Sequence, residues 1–183
     1  MLEERFISHS APTLAGLKTA NLFTLPFSSR REAIRQLEAW NRELSRKDVY
    51  VTALRMKERE ALVYVYRKGK LEETLKKEGV MEFLQTYGYE EAGAAGVVDC
   101  LKAKFARSDE FPHEVGVFLG YPLEDVKGFI ANGGKNCKCV GCWKVYCDEC
   151  EAKKRFAAFQ KCRRVYAALF QQGKTVNQLT VAV

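Results

Sequence analysis

The feature that most limits the fold of this chain is a pair of neighbouring segments rich in strand-forming residues. Residues 49–56 and 61–66 are rich in Val, Tyr and other residues that favour strands. The charged segment 57–60 between them is short enough to form a turn. We therefore predict an antiparallel β-hairpin near the centre of the chain.

Segments with helical periodicity lie on both sides of this hairpin. Residues 29–45 begin with a capping box, formed by Ser29 and Glu32, and continue with apolar residues at helical spacing. Further helices are predicted over 71–87 with a break at Gly79, over 90–105, 111–119 and 122–131, and from a cap at Asp148 to about Gln171.

A third strand is predicted over 140–146, whereas residues 1–28 show no clear period and favour turns. The sequence thus predicts an α+β fold: a small antiparallel sheet of about three strands, several helices and a long C-terminal helix. A length of 183 residues with 47% hydrophobic content is typical of one domain, 1–183. Within it we separate an N-terminal segment, 1–28, from a Cys-rich loop and strand, 135–150.

Polar residues follow the first five without an apolar signal region, and no segment has the length of a membrane span. The seven cysteines are an odd number, and without a secretory signal they do not indicate a disulfide framework. We expect a cytoplasmic protein with reduced or metal-bound thiols.

Five cysteines crowd the segment 135–150 in the pattern C-x-C-x2-C-x4-C-x2-C. Thiolates at such spacing bind zinc or an iron-sulfur cluster. If residues 143–146 are extended, Cys142 and Cys147 are about 16 Å apart, too far for one metal ion. The predicted metal ligands are therefore Cys137, Cys139 and Cys142.

A fourth ligand for these three thiolates would come from elsewhere, for example from Cys100 or His113. Two alternatives stay open for the same cysteines. Free cysteines often pack as small apolar residues, and nearby lysines would favour reactive thiolates if the three side chains are exposed. Cys162, on the apolar face of the last helix, is expected to pack in the core.

The net charge of +7 is concentrated between Lys135 and Lys174. Such a segment fits an acidic protein, an anionic small molecule or nucleic acid, although many basic helices only face solvent. The predicted basic surface consists of Lys153, Lys154, Arg155, Arg163 and Arg164.

Residues 115–129 resemble a helix-turn-helix. Because Glu124 and Asp125 would repel DNA there, we interpret residues 115–129 as an ordinary helical hairpin.

Two polar segments contain the two histidines of the chain. The first offers His9, Thr13 and Lys18, which are suited to binding an anionic group. In the second, His113 beside Glu114 provides a candidate acid, base or ligand. The alternative is that the first segment forms only turns and that His113 only decorates a first helical turn.

Four segments, 9–18, 111–116, 119–126 and 142–146, together resemble an uncharacterised bacterial family. This family is catalogued as a domain of unknown function and occurs mainly in anaerobic Firmicutes. The resemblance covers nearly the whole chain and implies no activity, cofactor or catalytic residue. The anaerobic setting that it implies favours oxygen-sensitive thiolate sites.

These observations lead to three functional hypotheses. The first is an accessory protein that binds a metal, a cluster or a redox-active ligand through the Cys-rich loop. The second is a basic interaction module, with nucleic acid a less favoured partner than an acidic protein. The third is an enzyme that acts on a small anionic substrate through His113 or His9. The sequence leaves open whether Trp143 and Tyr146 line a pocket or fill the core.

Overall fold

The structure is a computed structural model that describes residues 2–108 and 110–182. Its helices are α1 (Leu2–Leu14), α2 (Arg30–Leu44), α3 (Lys68–Leu75), α4 (Val80–Gln85), α5 (Gly93–Arg107), α6 (Val115–Phe118), α7 (Leu123–Ala131), α8 (Glu149–Gln171) and α9 (Val176–Leu179). Its strands are β1 (Ala20–Pro26), β2 (Val49–Met56), β3 (Glu60–Arg67), β4 (Cys139–Val140) and β5 (Lys144–Val145).

The central sheet is antiparallel, with strand order β1–β3–β2. Strands β2 and β3 form the predicted hairpin, with a register shift between Ala53 and Arg55. The prediction that 140–146 supplies the third strand was wrong. The chain turns at Gly141, whose N–H donates to the Trp143 carbonyl, so this segment forms a separate ribbon of β4 and β5. The third strand of the sheet is β1.

Helices cover both faces of the sheet, which gives the predicted α+β fold. Because side chains alternate along β3, Val63 and Val65 point to one face and Tyr64 and Tyr66 to the other. The first face packs on α1, α2 and α9 and on the C-terminal half of α8, and the second packs on α3 to α7. All side chains of β3 from Val63 to the end of the strand are buried, as expected for a central strand.

The prediction that residues 1–28 lack regular structure was wrong, since they form α1 and β1. Polar residues on the buried side of α1 hide its helical period in the sequence. Ser10 and Thr13 are fully buried, and the Ser10 hydroxyl donates to the Phe6 carbonyl. Burial of hydrogen-bonded hydroxyls costs little, so a helix face can be buried without being apolar.

A buried arginine holds the end of α1 in place. The Arg67 guanidinium, at the end of β3, donates to the carbonyls of Thr13, Leu14 and Val181 at 2.7 Å and to that of Lys47 at 3.1 Å. Thr13 and Leu14 are at the end of α1, and Lys47 ends a short 3-10 helix, Ser45–Lys47, that follows α2. Backbone acceptors at helix ends lack partners within their own helix. This arginine therefore joins the sheet, α1 and the C-terminal segment at one point.

The predicted helix starts agree with the structure to different degrees. The Asp148 side chain caps α8 by accepting from the Glu151 N–H, as predicted. Ser29 is the N-cap of α2, but its side chain forms no capping hydrogen bond, so the predicted capping box is incomplete. Helix α9 was not predicted.

None of the helices within 2–108 and 110–182 is long and apolar enough to cross a membrane.

The ribbon of β4 and β5 packs against α8 through a third apolar cluster, which contains Trp143, Val145, Ala152 and Phe159. The start of α7 joins this cluster because Asp125 accepts hydrogen bonds from the Trp143 indole and from the Tyr146 and Cys147 amides. The predicted helical pair α6 and α7 is thus fixed to the ribbon and, through it, to α8.

Candidate functional site

Two adjoining cavities lie between the α6–α7 pair, the ribbon and α8. The first, which we call the aromatic cavity, has a volume of about 510 Å³, and the second, the cationic cavity, about 590 Å³. Leu119, Tyr121 and Gly141 line both cavities, so the two share part of their walls, and we call the pair the cleft. Cavities of this size are typical of small-molecule sites.

The aromatic cavity has almost entirely apolar walls. The Trp143 ring stacks on the Tyr121 ring with centroids 4.8 Å apart, and the His113 ring lies 5.2 Å from that of Phe129. The remaining walls are Phe111, Val115, Gly116, Leu119, Asp125, Val126, Val140, Gly141 and Lys144. Aromatic walls at these spacings provide flat faces for a planar apolar group.

The cationic cavity has basic side chains on several walls. Lys18, Lys153 and Arg163 line it, together with the uncharged polar groups of Asn21 and Gln160. The remaining walls are Leu22, Leu119, Tyr121, Gly141, Cys142, Phe156 and Ala157. No acidic residue is among these walls, so the field inside the cavity attracts anions.

The turn after α1 places Lys18 in this cavity. Gly16 has a φ of 73°, the left-handed conformation that commonly ends a helix. The turn folds back so that the Leu17 and Lys18 amides both donate to the Pro12 carbonyl. Lys18 is then directed toward Tyr121, with its Nζ 5.2 Å from the centroid of the Tyr121 ring.

Lys18 is nearly completely buried, with 4% of its surface exposed. Within 2–108 and 110–182 its ammonium group has no hydrogen-bond or ion-pair partner, and its polar contact is with the Tyr121 ring. Burial lowers the pKa of Lys18 to about 8; Cys142 opposes this shift, and Arg163 and Arg155 add to it. Lys18 Nζ is not among the completely buried polar atoms that lack a partner in the described residues, so the ammonium faces the cavity, where an anion can reach it.

A close backbone approach holds Tyr121 beside Lys18. Gly120 has a φ of 73°, and a Cβ there would lie 2.4 Å from the Thr19 hydroxyl oxygen. Only glycine meets both conditions without strain. The turn between α6 and α7 therefore packs directly on the residue that follows Lys18.

The structure places two of the five predicted ligand-binding residues in the cleft, Lys18 in the cationic cavity and His113 in the aromatic cavity. Thr13 lies behind the wall, and its hydroxyl donates to Asn21 Oδ1 at 2.7 Å. His9 lies outside the lining and stacks on Phe23. Burial lowers the pKa of His9, and the positive charges of Arg163 and Arg5 lower it further.

Glu114, the fifth predicted residue, belongs to the core instead of the cleft. Only 3% of it is exposed, and its Oε1 lies 3.5 Å from Lys104 Nζ and 3.2 Å from the Tyr89 hydroxyl. The structure therefore separates Glu114 from its neighbour His113, which faces the aromatic cavity.

Two of the three predicted metal ligands, Cys139 and Cys142, pack against the third apolar cluster. Cys142 also lines the cationic cavity, and Cys137 precedes the ribbon. The residues that the structure describes contain no group of three or more His, Cys, Asp or Glu that could hold a metal ion. All seven cysteines are free, and Cys162 is buried, as its position on α8 predicts.

The basic residues predicted to form one surface on α8 are divided by the structure. Lys153 and Arg163 line the cationic cavity, while Lys154 and Arg164 are exposed elsewhere on the helix. Arg155 lies over the Trp143 ring, 4.9 Å from its centroid, and donates to the Gly120 carbonyl. The surroundings of each basic residue depend on the side of α8 on which it lies, and the net charge of the segment does not predict that side.

Sequence reasoning did not assign Tyr121, Phe129 or Asp125 to a site. Tyr121 and Asp125 lie in one of the four segments on which the family resemblance depends, which is the only signal in the sequence that marks them, and it assigns them no role. A larger groove of about 790 Å³ follows the edge strand β2, but none of the predicted site residues lines it.

The fold is that of a small α+β protein, and its described residues form two adjoining cavities. The chain belongs to the family described as "Protein of unknown function (DUF3793)", which matches residues 6–180. This match confirms the resemblance found from the sequence. No curated protein and no solved structure matches the chain.

Proposed function

We propose that this protein binds a small organic anion that carries a flat apolar group. The observation that carries the proposal is the buried Lys18 side chain, whose ammonium has no hydrogen-bond or ion-pair partner in the part of the chain that the structure describes, in a cationic cavity that shares walls with an aromatic one. The proposal develops the sequence-based hypothesis of a small anionic ligand. It assigns charge recognition to Lys18 and contact with the apolar part to the neighbourhood of His113.

The aromatic cavity supports the apolar part of this ligand. Trp143, Tyr121, His113 and Phe129 all line this cavity, so a planar ring bound there removes apolar surface from water. Burial of that surface contributes about 25 cal/mol per Å². The Asp125 carboxylate at this cavity already accepts three hydrogen bonds, so it stays paired when an apolar group binds beside it.

The cationic cavity supports the anionic part. Lys18 has no competing acid, and Arg163 has no ion pair within the described residues, whereas Lys153 Nζ lies 2.6 Å from Glu149 Oε1 at the surface. An anion would therefore gain most from Lys18 and Arg163. Charge-assisted hydrogen bonds of this kind are about twice as strong as neutral ones.

Isothermal titration calorimetry with three probes tests the proposal. 3-Phenylpropionate carries both a ring and a carboxylate, 3-phenylpropan-1-ol lacks the charge, and propionate lacks the ring. We expect 3-phenylpropionate to bind at least about tenfold more tightly than either of the other two, because each lacks one of the recognised groups. Equal affinity for 3-phenylpropionate and the alcohol would contradict the proposal.

Two variants on the same helix provide a matched control for the site. Arg163→Gln removes a charge that lines the cationic cavity, and Arg164→Gln removes the neighbouring exposed charge. We expect the first to weaken 3-phenylpropionate binding about tenfold and the second to leave it unchanged. A similar loss in both would show that the net charge of α8, rather than the cleft, attracts the ligand.

The remaining sequence-based hypotheses are separate proposals. A cytoplasmic location fits the seven free cysteines, because a reducing compartment keeps thiols free. Metal or cluster binding by Cys137, Cys139 and Cys142 is tested by metal content in protein purified without oxygen and without a metal-binding tag. Stoichiometric zinc or iron that disappears on serine substitution of all three would support that proposal, and a metal-free folded protein would contradict it.

A further inference from the structure

We propose that the Lys18 amine forms a reversible imine with the keto group of a 2-oxo acid bound in the cleft. This inference rests on the proposed function, since the same cleft must first bind the anion. It adds a covalent step and a narrower class of ligand, an aromatic 2-oxo acid.

The position of Lys18 relative to the two cavities indicates this class. Lys18 lines the cationic cavity together with Arg163, and its Nζ lies over the ring of Tyr121, a residue that lines both cavities. In a 2-oxo acid the keto carbon is bonded to the carboxylate carbon, so a carboxylate paired with Arg163 brings the keto group into the same cavity as the Lys18 amine. The ring of an aromatic 2-oxo acid then extends toward Tyr121, a wall that the two cavities share.

The surroundings of Lys18 also favour a nucleophilic amine. Lysines that form imines are activated by removal from water or by neighbouring positive charges, and Lys18 has both. It is 4% exposed, and Arg163 and Arg155 act on it from α8. With its pKa lowered to about 8 by burial, the neutral fraction near pH 8 is about a hundredfold larger than for an ordinary lysine.

The step balances without any further reactant. The neutral Lys18 amine attacks the keto carbon, the carbonyl electron pair moves to oxygen, and proton transfer from nitrogen to oxygen gives a carbinolamine. The hydroxyl group then leaves as water with the second amine hydrogen, and a carbon–nitrogen double bond forms. One amine and one ketone thus give one imine and one water, and hydrolysis reverses the reaction.

Reductive trapping with phenylpyruvate tests this step. Phenylpyruvate differs from 3-phenylpropionate only by a keto group in place of one methylene. Cyanoborohydride delivers hydride to an imine carbon and leaves a stable secondary amine on the lysine. Intact-mass spectrometry then counts the adducts, and peptide mapping of the wild-type protein locates them without any substitution.

We expect one reduced adduct on Lys18 in the wild-type protein. Lys18→Arg keeps the positive charge but cannot form the imine, so labelling should fall at least about tenfold. Lys154→Arg removes an exposed lysine of α8 and should leave labelling unchanged. Circular dichroism of each variant establishes that it is folded.

The outcomes separate this inference from the proposed function. Binding of 3-phenylpropionate without a Lys18 adduct from phenylpyruvate would overturn the imine and leave anion binding intact. Absence of both would overturn both proposals. Adducts distributed over exposed lysines, and unchanged in Lys18→Arg, would also overturn the imine.

Discussion

Trp143 Nε1 donates a hydrogen bond of 2.7 Å to Asp125 Oδ2, and this bond joins the ribbon to the start of α7. The other carboxylate oxygen of Asp125 accepts from the amides of Tyr146 and Cys147, at 2.7 and 2.8 Å. The same carboxylate thus fixes the Trp143 ring that forms one wall of the aromatic cavity. Burial alone would raise the pKa of Asp125, but hydrogen bonds from Cys147, Tyr146 and Trp143 outweigh it, so the pKa is lowered.

Asp125→Asn should destabilise the fold by about 2–3 kcal/mol, measured by urea unfolding at neutral pH. The amide has one acceptor oxygen in place of two and presents N–H groups to donors, so at least one buried donor loses its partner. The lowered pKa adds a pH dependence. The stabilisation from this carboxylate is present above its ordinary pKa near 3.8 and disappears as the pH falls through the lower folded value.

Glu124→Gln is the matched control for Asp125→Asn. Glu124 is the preceding residue, is mainly exposed and forms a surface ion pair with Lys127 at 3.3 Å. Its substitution should change stability by less than about 0.5 kcal/mol. If both substitutions cost the same, the charge at the start of α7, and not the anchoring of the ribbon, accounts for the effect.

Sequence periodicity predicts those parts of this fold in which apolar residues form a regular face. The hairpin, the break at Gly79 and α8 with its Asp148 cap are of this kind. Periodicity does not predict helix α1, because the buried polar residues Ser10 and Thr13 interrupt its apolar face. The segment 140–146 was predicted as one strand because Val, Trp and Tyr favour strands, whereas the turn at Gly141 depends on packing against α8.

The site was predictable only where residue type alone suggests chemistry. Lys18, His113 and Cys142 carry reactive groups, and all three line the cleft. Asp125 in the first turn of a helix looks like a solvent-exposed residue that complements the helix dipole. Its three donors come from a segment about twenty residues later, so its role depends on tertiary structure.

Gly120→Ala should disrupt the cleft and reduce stability. The new Cβ would lie 2.4 Å from Thr19 Oγ1, and a φ of 73° is strained for alanine. We expect a loss of about 1–3 kcal/mol in the free energy of unfolding, together with weaker 3-phenylpropionate binding because Tyr121 must move. Gly133→Ala is the control, since Gly133 also has a positive φ, 56°, but nothing lies within 4 Å of its Cβ position. Equal effects in both variants would assign the loss to backbone conformation alone.

Lys18→Met should stabilise the folded protein at pH 7, by about 1–3 kcal/mol. The folded pKa of about 8 lies below the ordinary value of 10.5, so the unfolded chain binds the proton more tightly. The ammonium form therefore destabilises the fold below pH 8, and the gain from methionine should shrink as the pH rises toward 10.5. Lys153→Met, at an exposed and ion-paired lysine, should show no such gain. A lower melting temperature for Lys18→Met would show that Lys18 stabilises the fold and is not kept there to bind a ligand.

The affinity for 3-phenylpropionate should fall as the pH rises through about 8, because only the protonated form of Lys18 attracts the carboxylate. Between about pH 7 and about pH 9 we expect a loss of about tenfold, measured by calorimetry. The titratable and charged groups that act on Lys18 are Cys142, Arg163 and Arg155. Burial raises the pKa of Tyr121, whose ring the ammonium contacts, so Tyr121 does not account for a change near pH 8. Cys142→Ser removes the thiol, so a fall that persists in this variant belongs to Lys18. In Lys18→Met the affinity should be weak and independent of pH.

Trapping by phenylpyruvate should change in the opposite direction and increase up to about pH 8, since it requires the neutral amine. A parallel decrease in binding and trapping would show that a group other than Lys18 controls both.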